Sequence, residues 1–286
     1  MKSTTAALLF VLAAPASADV LLTKTVHTDE VQTPAGAQPA KDETQSIWLG
    51  KEKVRAEMGP VTYIVRLDQK KLYVLHPAER TYTTLAIPVD IGQYVDASQK
   101  QVFEQMKSRL NITATVAPTG ETERVKSWSA TKYKVQTTTL GRSTDETIWT
   151  TKDIEVDWAT FWDSQAALRS LQPGSETLIT EMRKLDGIAV KADRVTTIGD
   201  RRVHSTEELA SAERKAAPEG AYDVPKDFTE KPLDPVSELR KLVGSRPNAG
   251  PGDGAPKPNG EEPAPRRREK QGGEEKKRGG DEKQGG

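Results

Sequence analysis

The chain contains no cysteine. That absence excludes a disulfide framework, so the fold must rest on a hydrophobic core. It also excludes a lipid-modified lipoprotein, whose cleavage site needs a Cys. An excess of one charge is lacking too: Lys plus Arg and Asp plus Glu stand at 42 each. Net charge therefore makes no case for nucleic acid or an anionic membrane as partner. Histidine is scarce, with His27, His76 and His204 the three in the chain, each in or beside a strand pattern and none in HxxxH or HExxH spacing. There is no GxSxG, no Gly-rich phosphate loop and no paired-carboxylate motif that stands out. Asp153, Glu155 and Asp157 alternate along an extended stretch. Beside a helix start, such a row reads as a solvated face favouring the positive helix N-terminus more than as a cation site. The expectation is a non-enzymatic protein with no cofactor and no metal.

Long apolar runs are missing after the first residues. The opening MKSTTAALLFVLAAPASA has a lone Lys2, an apolar run from Ala6 to Ala14 and then Ala16-Ser17-Ala18. This reads as a secretory signal peptide, residues 1–18, cleaved after Ala18. The run is too short to cross roughly 30 Å of hydrocarbon. A periplasmic or secreted protein beginning at Asp19 is expected, with no transmembrane segment after cleavage.

Composition splits the rest near Pro232. Residues 232–286 are rich in Pro, Gly and charges of mixed sign. Such a segment cannot offset an ordering entropy of about 1 kcal/mol per residue and reads as a disordered tail. A short helix over Pro235 to Val243 is expected between the folded part and this tail. Residues 19–231 carry the apolar density of one folded domain and are expected to be monomeric.

That part opens with strand rhythm. Val20 to His27, Gln45 to Leu49, Lys53 to Met58, Thr62 to Leu67, Lys71 to Leu75 and Thr81 to Leu85 alternate or run apolar, with turns at Gly50-Lys51, Asp68-Gln69 and Pro77 to Glu79. Consecutive strands joined by tight turns make an antiparallel meander, and the βαβ alternation of a nucleotide-binding fold is absent. Val95 to Leu110 places Val102, Phe103, Met106 and Leu110 at helical spacing. Strands then resume at Arg124 to Trp128, Ala130 to Thr137 and Asp145 to Thr150. Helices follow at Trp158 to Leu171 and Ser175 to Leu185, with Ser175 as cap, then strands at Ile188 to Thr197 and Arg202 to Ser211.

Large aromatic residues concentrate in these elements: Trp48, Tyr63, Tyr73, Tyr82 and Trp149 in strands, Trp158, Phe161 and Trp162 in a helix. In a closed core they pack against one another. In an open sheet with helices they line a groove for an apolar ligand. The residues alone fit either.

The stretches IWLGKEKVRAEM, YIVRLDQKKLYVLHPAERTYTTL, GETERVKSWSATKYKV, ETIWTTKDIEVDW and AYDVPKDF follow one another from Ile47 to Phe228. Their order and spacing resemble the bacterial domain of unknown function 4412 family, and through it the superfamily of outer-membrane lipoprotein carriers and their sensor relatives (LolA, LolB and RseB-like proteins). The resemblance implies a mainly β, α+β fold. Its curved antiparallel sheet would form an open half-barrel covered by helices, with an apolar cavity. It transfers no catalytic or binding residue. The expected partner is a lipid or acylated protein held in the groove by the eight aromatic residues. The competing expectation is a cell-envelope module with a closely packed core that works through surface contacts with an envelope protein.

Overall fold

The computed structural model describes residues 19–33, 36–110 and 112–244. The expected signal peptide and the chain beyond Gly244 lie outside the described residues.

The fold is mainly β and is dominated by one large curved sheet that does not close on itself. In chain order its strands are β1 (Val20–Thr28), β4 (Lys41–Gly50), β5 (Lys53–Met58), β6 (Val61–Arg66), β7 (Lys71–His76), β8 (Thr81–Ala86), β9 (Thr113–Val125), β10 (Trp128–Thr139), β11 (Arg142–Thr151), β12 (Ile188–Ile198), β13 (Arg201–Arg214) and β14 (Thr229–Glu230). A separate small hairpin, β2 (Val31–Thr33) with β3 (Gly36–Gln38), joins β1 to β4. Across the sheet the order is β14-β8-β7-β6-β5-β4-β1-β13-β12-β11-β10-β9. Two meanders, β4 to β8 and β9 to β13, thus flank β1, which pairs antiparallel with β4 on one side and β13 on the other.

The meander turns use little glycine. Glu52, Lys70 and Arg80 close them at φ between 51° and 55°, and short 3-10 turns over Leu67–Gln69 and Pro77–Glu79 precede the last two. A left-handed residue with a side chain costs about 1 kcal/mol or more, so the strand pairing on either side must hold these turns.

Cross-strand register sorts the side chains into two faces. Val20, Leu49, Val54, Val65, Leu72 and Leu85 stand opposite one another in one row, and Leu22, Ile47, Ala56, Tyr63 and Val74 in the next. Both rows belong to the main core. The other face holds Trp48, Arg55, Ile64, Tyr73, Leu75 and Tyr82. Ile64 and Leu75 are fully buried there. Arg55 and Arg66 reach from this face to the carbonyls of Ala221 and Tyr222 at 3.1 and 3.3 Å. The strap of residues 215–228 therefore crosses this face, and its end joins the sheet edge as β14, parallel to β8.

Among the described residues four helices complete the fold: α1 (Lys100–Lys107), α2 (Trp158–Arg169), α3 (Glu176–Met182) and α4 (Pro235–Gly244). The helix expected from Val95 is shorter than its apolar spacing suggested. Val95 is extended, with φ −87° and ψ 126°, and 3-10 turns take the residues before Lys100. Val102 points outward at 42% exposure, while Phe103 and Leu110 are buried. Ser175 makes no capping bond; it is itself buried. The helix expected at Pro235 forms and contributes Val236 and Leu239 to the main core, so the folded unit continues beyond Lys231. The strand expected over Arg124 to Trp128 is broken by Lys126, left-handed at φ 53°, which turns β9 into β10.

Candidate functional site

Helix α2 is the organising element of the site. Asp157 caps it, its Oδ1 accepting from the Thr160 N–H at 3.1 Å. Thr160, Ser164 and Ala167 form its buried face, toward β4, β5 and β6. The Thr160 hydroxyl accepts from the Glu52 N–H at 3.1 Å and so ties the helix to the β4–β5 turn. Trp158, Phe161 and Leu168 pack against the main core. Trp162 packs instead against a second cluster, Val116, Tyr133, Val135, Ile148, Leu185 and Ala192, beside Met182 of α3. The three rings meet edge to face, Phe161 lying 5.9 Å from Trp158 and 4.9 Å from Trp162.

The same helix borders a cleft of about 640 Å³, which Thr160 and Ala167 also reach. Ala159, Asp163, Ala166 and Ser170 form one wall, and Lys51, Glu52, Leu67 and the loop Ile87-Pro88-Val89 form the other. A smaller cleft of about 260 Å³ continues it around the start of the helix, sharing Lys51, Asp157 and Thr160. Half of the larger lining is apolar, from Leu67, Ile87, Pro88, Val89, Ala159, Ala166 and Ala167. Lys51, Glu52 and Asp163 give it a charged rim.

None of the eight aromatic residues singled out in the sequence lines this cleft. Register divides the strand aromatics between faces. Tyr63 stands half-buried on the α2 face, whereas Trp48, Tyr73 and Tyr82 stand on the opposite one, under or beside the strap. Tyr73 and Tyr82 are neighbours at 6.3 Å between ring centroids, and the Lys215 ammonium lies 5.5 Å from the Trp48 ring. Trp149 is buried in strand register with Lys132 and Lys191, whose ammonium groups lie 5.9 and 4.7 Å from its ring. Trp158, Phe161 and Trp162 form a contiguous group of three, each partly buried and packed against a core cluster. One groove lined by all eight is not what the topology builds.

The alternating carboxylates also separate by role. Asp153 accepts from the Ser129 N–H at 2.7 Å, Glu155 pairs with Arg214 at 2.6 Å and Asp157 caps α2. Among the described residues no group of three or more His, Cys, Asp or Glu is placed to hold a metal.

Two arrangements have no counterpart in local sequence pattern. At the far end of β1, Asp42, His27, Asp29, His204 and Asp193 form a row with successive separations of 2.7, 3.2, 3.0 and 3.3 Å. The hydrogen bond to Asp42 raises the His27 imidazole above its ordinary value, and that to Asp29 raises His204. On the α2 face, Lys24 pairs with Glu207 at 2.6 Å and Arg194 with Glu146 at 2.5 Å. Burial pushes the Glu207 carboxyl up, but Lys24 and then Arg194 outweigh it and hold the group below its ordinary range. Strand register creates both rows, by bringing residues about 180 positions apart side by side.

The model of one family, the domain of unknown function DUF4412, matches residues 35–228. The chain belongs to this family. The DUF4412 match takes in both walls of the cleft, the whole of α2 and the strap as far as Phe228. It leaves β1, with Lys24 and His27, and helix α4 outside. No curated protein matches the chain.

Proposed function

We propose that this DUF4412 protein is a non-enzymatic binder of an apolar ligand, a lipid or an acylated protein, and acts in the periplasm or outside the cell after cleavage behind Ala18. The observation that carries the reading is the cleft of about 640 Å³ beside α2. Its size falls in the range of sites for small apolar ligands, and its lining combines apolar walls with a few polar groups at the rim. The resemblance to the lipoprotein carriers supports the same reading: the half-barrel is the proposed architecture, and the cleft along α2 is what remains open in it. An acyl chain burying roughly ten methylenes gains about 8 kcal/mol before association costs, enough for reversible capture.

A second reading rests on a different observation. Phe161 and Trp162 are committed to core packing, which favours an envelope interaction module without a ligand.

A fluorescent fatty-acid probe separates the two. Under the binding reading, Ala166→Trp fills the cleft and weakens the probe about tenfold or more with little loss of stability, since Ala166 is half-exposed. Phe161→Ala lowers the melting temperature and leaves probe affinity close to that of the unaltered protein. Failure of the unaltered protein to bind the probe gives the lead to the interaction module, and full binding by Ala166→Trp moves the site away from the cleft.

A further inference from the structure

The charged side chains lining the two clefts beside α2 fall into two groups. Most already have a partner: Asp157 caps the helix through its Oδ1, Asp163 faces Arg183 at 3.4 Å, Glu155 pairs with Arg214 at 2.6 Å, and Asp19 accepts from the Tyr222 hydroxyl at 2.9 Å. Lys51 and Glu52 are left. Neither side chain has a hydrogen-bond or ion-pair partner among the described residues, and both are exposed. Lys51 stands where the two clefts meet, and Glu52 lines the larger one beside it.

The turn that carries these two residues is tied to both walls. The Glu52 N–H donates to the Thr160 hydroxyl at 3.1 Å, on the helix side, and its carbonyl accepts from the Leu67 N–H at 2.9 Å, on the other. One cation and one anion are thus carried on an anchored backbone at the rim of a cavity with apolar walls, among them Leu67, Ile87, Val89 and Ala166. A head group of a single charge is attracted by one of them and repelled by the other. A carboxylate alone would also approach Asp157 and Asp163. A head that carries both signs a few bonds apart meets both groups at once, and like-charge contacts are avoided. A volume of about 640 Å³ is that of one drug-sized ligand, hence of one acyl chain and not two.

On the apolar-ligand reading above, we infer that the cleft takes a single-chain zwitterionic amphiphile, its chain along the apolar walls, its anionic group at Lys51 and its cationic group at Glu52. The chain supplies most of the affinity, and the two rim charges choose the head.

Dodecylphosphocholine, dodecanoate and dodecyltrimethylammonium, each titrated into the full chain by calorimetry below its micelle concentration, test it. The phosphocholine should bind about threefold or more tighter than either singly charged probe, the scale of an exposed ion pair. Lys51→Gln should weaken the phosphocholine and the dodecanoate but not the ammonium. Glu52→Gln should weaken the phosphocholine and the ammonium and tighten the dodecanoate. Ala166→Trp should weaken all three. Tightest binding by a singly charged probe, equal binding by all three, or a phosphocholine affinity that neither rim substitution changes would overturn the head-group assignment and leave the cleft a site for an apolar chain. Full phosphocholine binding by Ala166→Trp would overturn it too, by placing the probe outside the cleft. Binding of none of the three would remove the apolar-ligand reading and the head group with it.

Discussion

His27 and His204 share Asp29, whose two carboxylate oxygens lie 3.2 Å from His27 Nε2 and 3.0 Å from His204 Nδ1. The second nitrogen of each ring meets another carboxylate, Asp42 or Asp193. A ring with a carboxylate at both nitrogens is satisfied only as the imidazolium, since the neutral form has one donor. Both rings accordingly have raised proton affinities. The sign of the linkage follows: their contribution to stability is fully present below the ordinary value of 6.5 and is lost as pH rises through the higher folded values. Both side chains are about 40% exposed, which keeps the effect small. In an NMR titration both imidazoles should titrate above 6.5, and Asp29→Asn should lower both, His204 the more because Asp29 is its leading partner. A wild-type ring titrating at or below 6.5 would refute the shared carboxylate. Nothing in the local sequence pointed to this row. Each histidine reads alone as a structural residue, and only the pairing of β1 with β13 and β4 brings them together.

At the scale of elements, strong periodicity and tight turns were legible and weak patterns were not. Strands β4 to β8 and helix α4 follow their apolar spacing, and α2 forms where it is expected, although its buried face is Thr160, Ser164 and Ala167 and not its aromatic row. Strand β9 escaped because Ala114 and Val116 are buried but Ala117 to Arg124, with Pro118, Gly120, Glu121 and Glu123, offer no alternation. That is the composition of a sheet edge, which β9 is. Helix α4 makes a testable contrast. Val236 and Leu239 are each 1% exposed and belong to the main core, and α4 packs against α1. Leu239→Ala should cost about 2–5 kcal/mol, as buried Leu truncations do. A chain ending after Gly244 should melt like the full chain, and one ending at Asp234 should lose several degrees. Equal melting of the two truncated chains would mean that α4 contributes nothing to the fold.

For the whole molecule the decisive strand is β1. It is bonded along its full length to β4 and to β13, and it carries the buried Val20 and Leu22 into the main core. The two meanders therefore share one core through one strand, and neither can shed β1 without opening a sheet edge. Denaturant unfolding should be a single transition, with tryptophan fluorescence and far-UV circular dichroism coincident; two separated transitions would show that the meanders fold as independent units. The sequence by itself determined the strand-rich class, the absence of a disulfide framework, the antiparallel meanders and the amphipathic helices, because these depend on local alternation, turn residues and composition. The two faces of the sheet, the split of the eight aromatic residues between them, the cleft beside α2 and the two charged rows were decided by tertiary structure. The physical reason is register: a shift of one residue moves a side chain to the other face, and no local pattern says which distant strand will stand beside which.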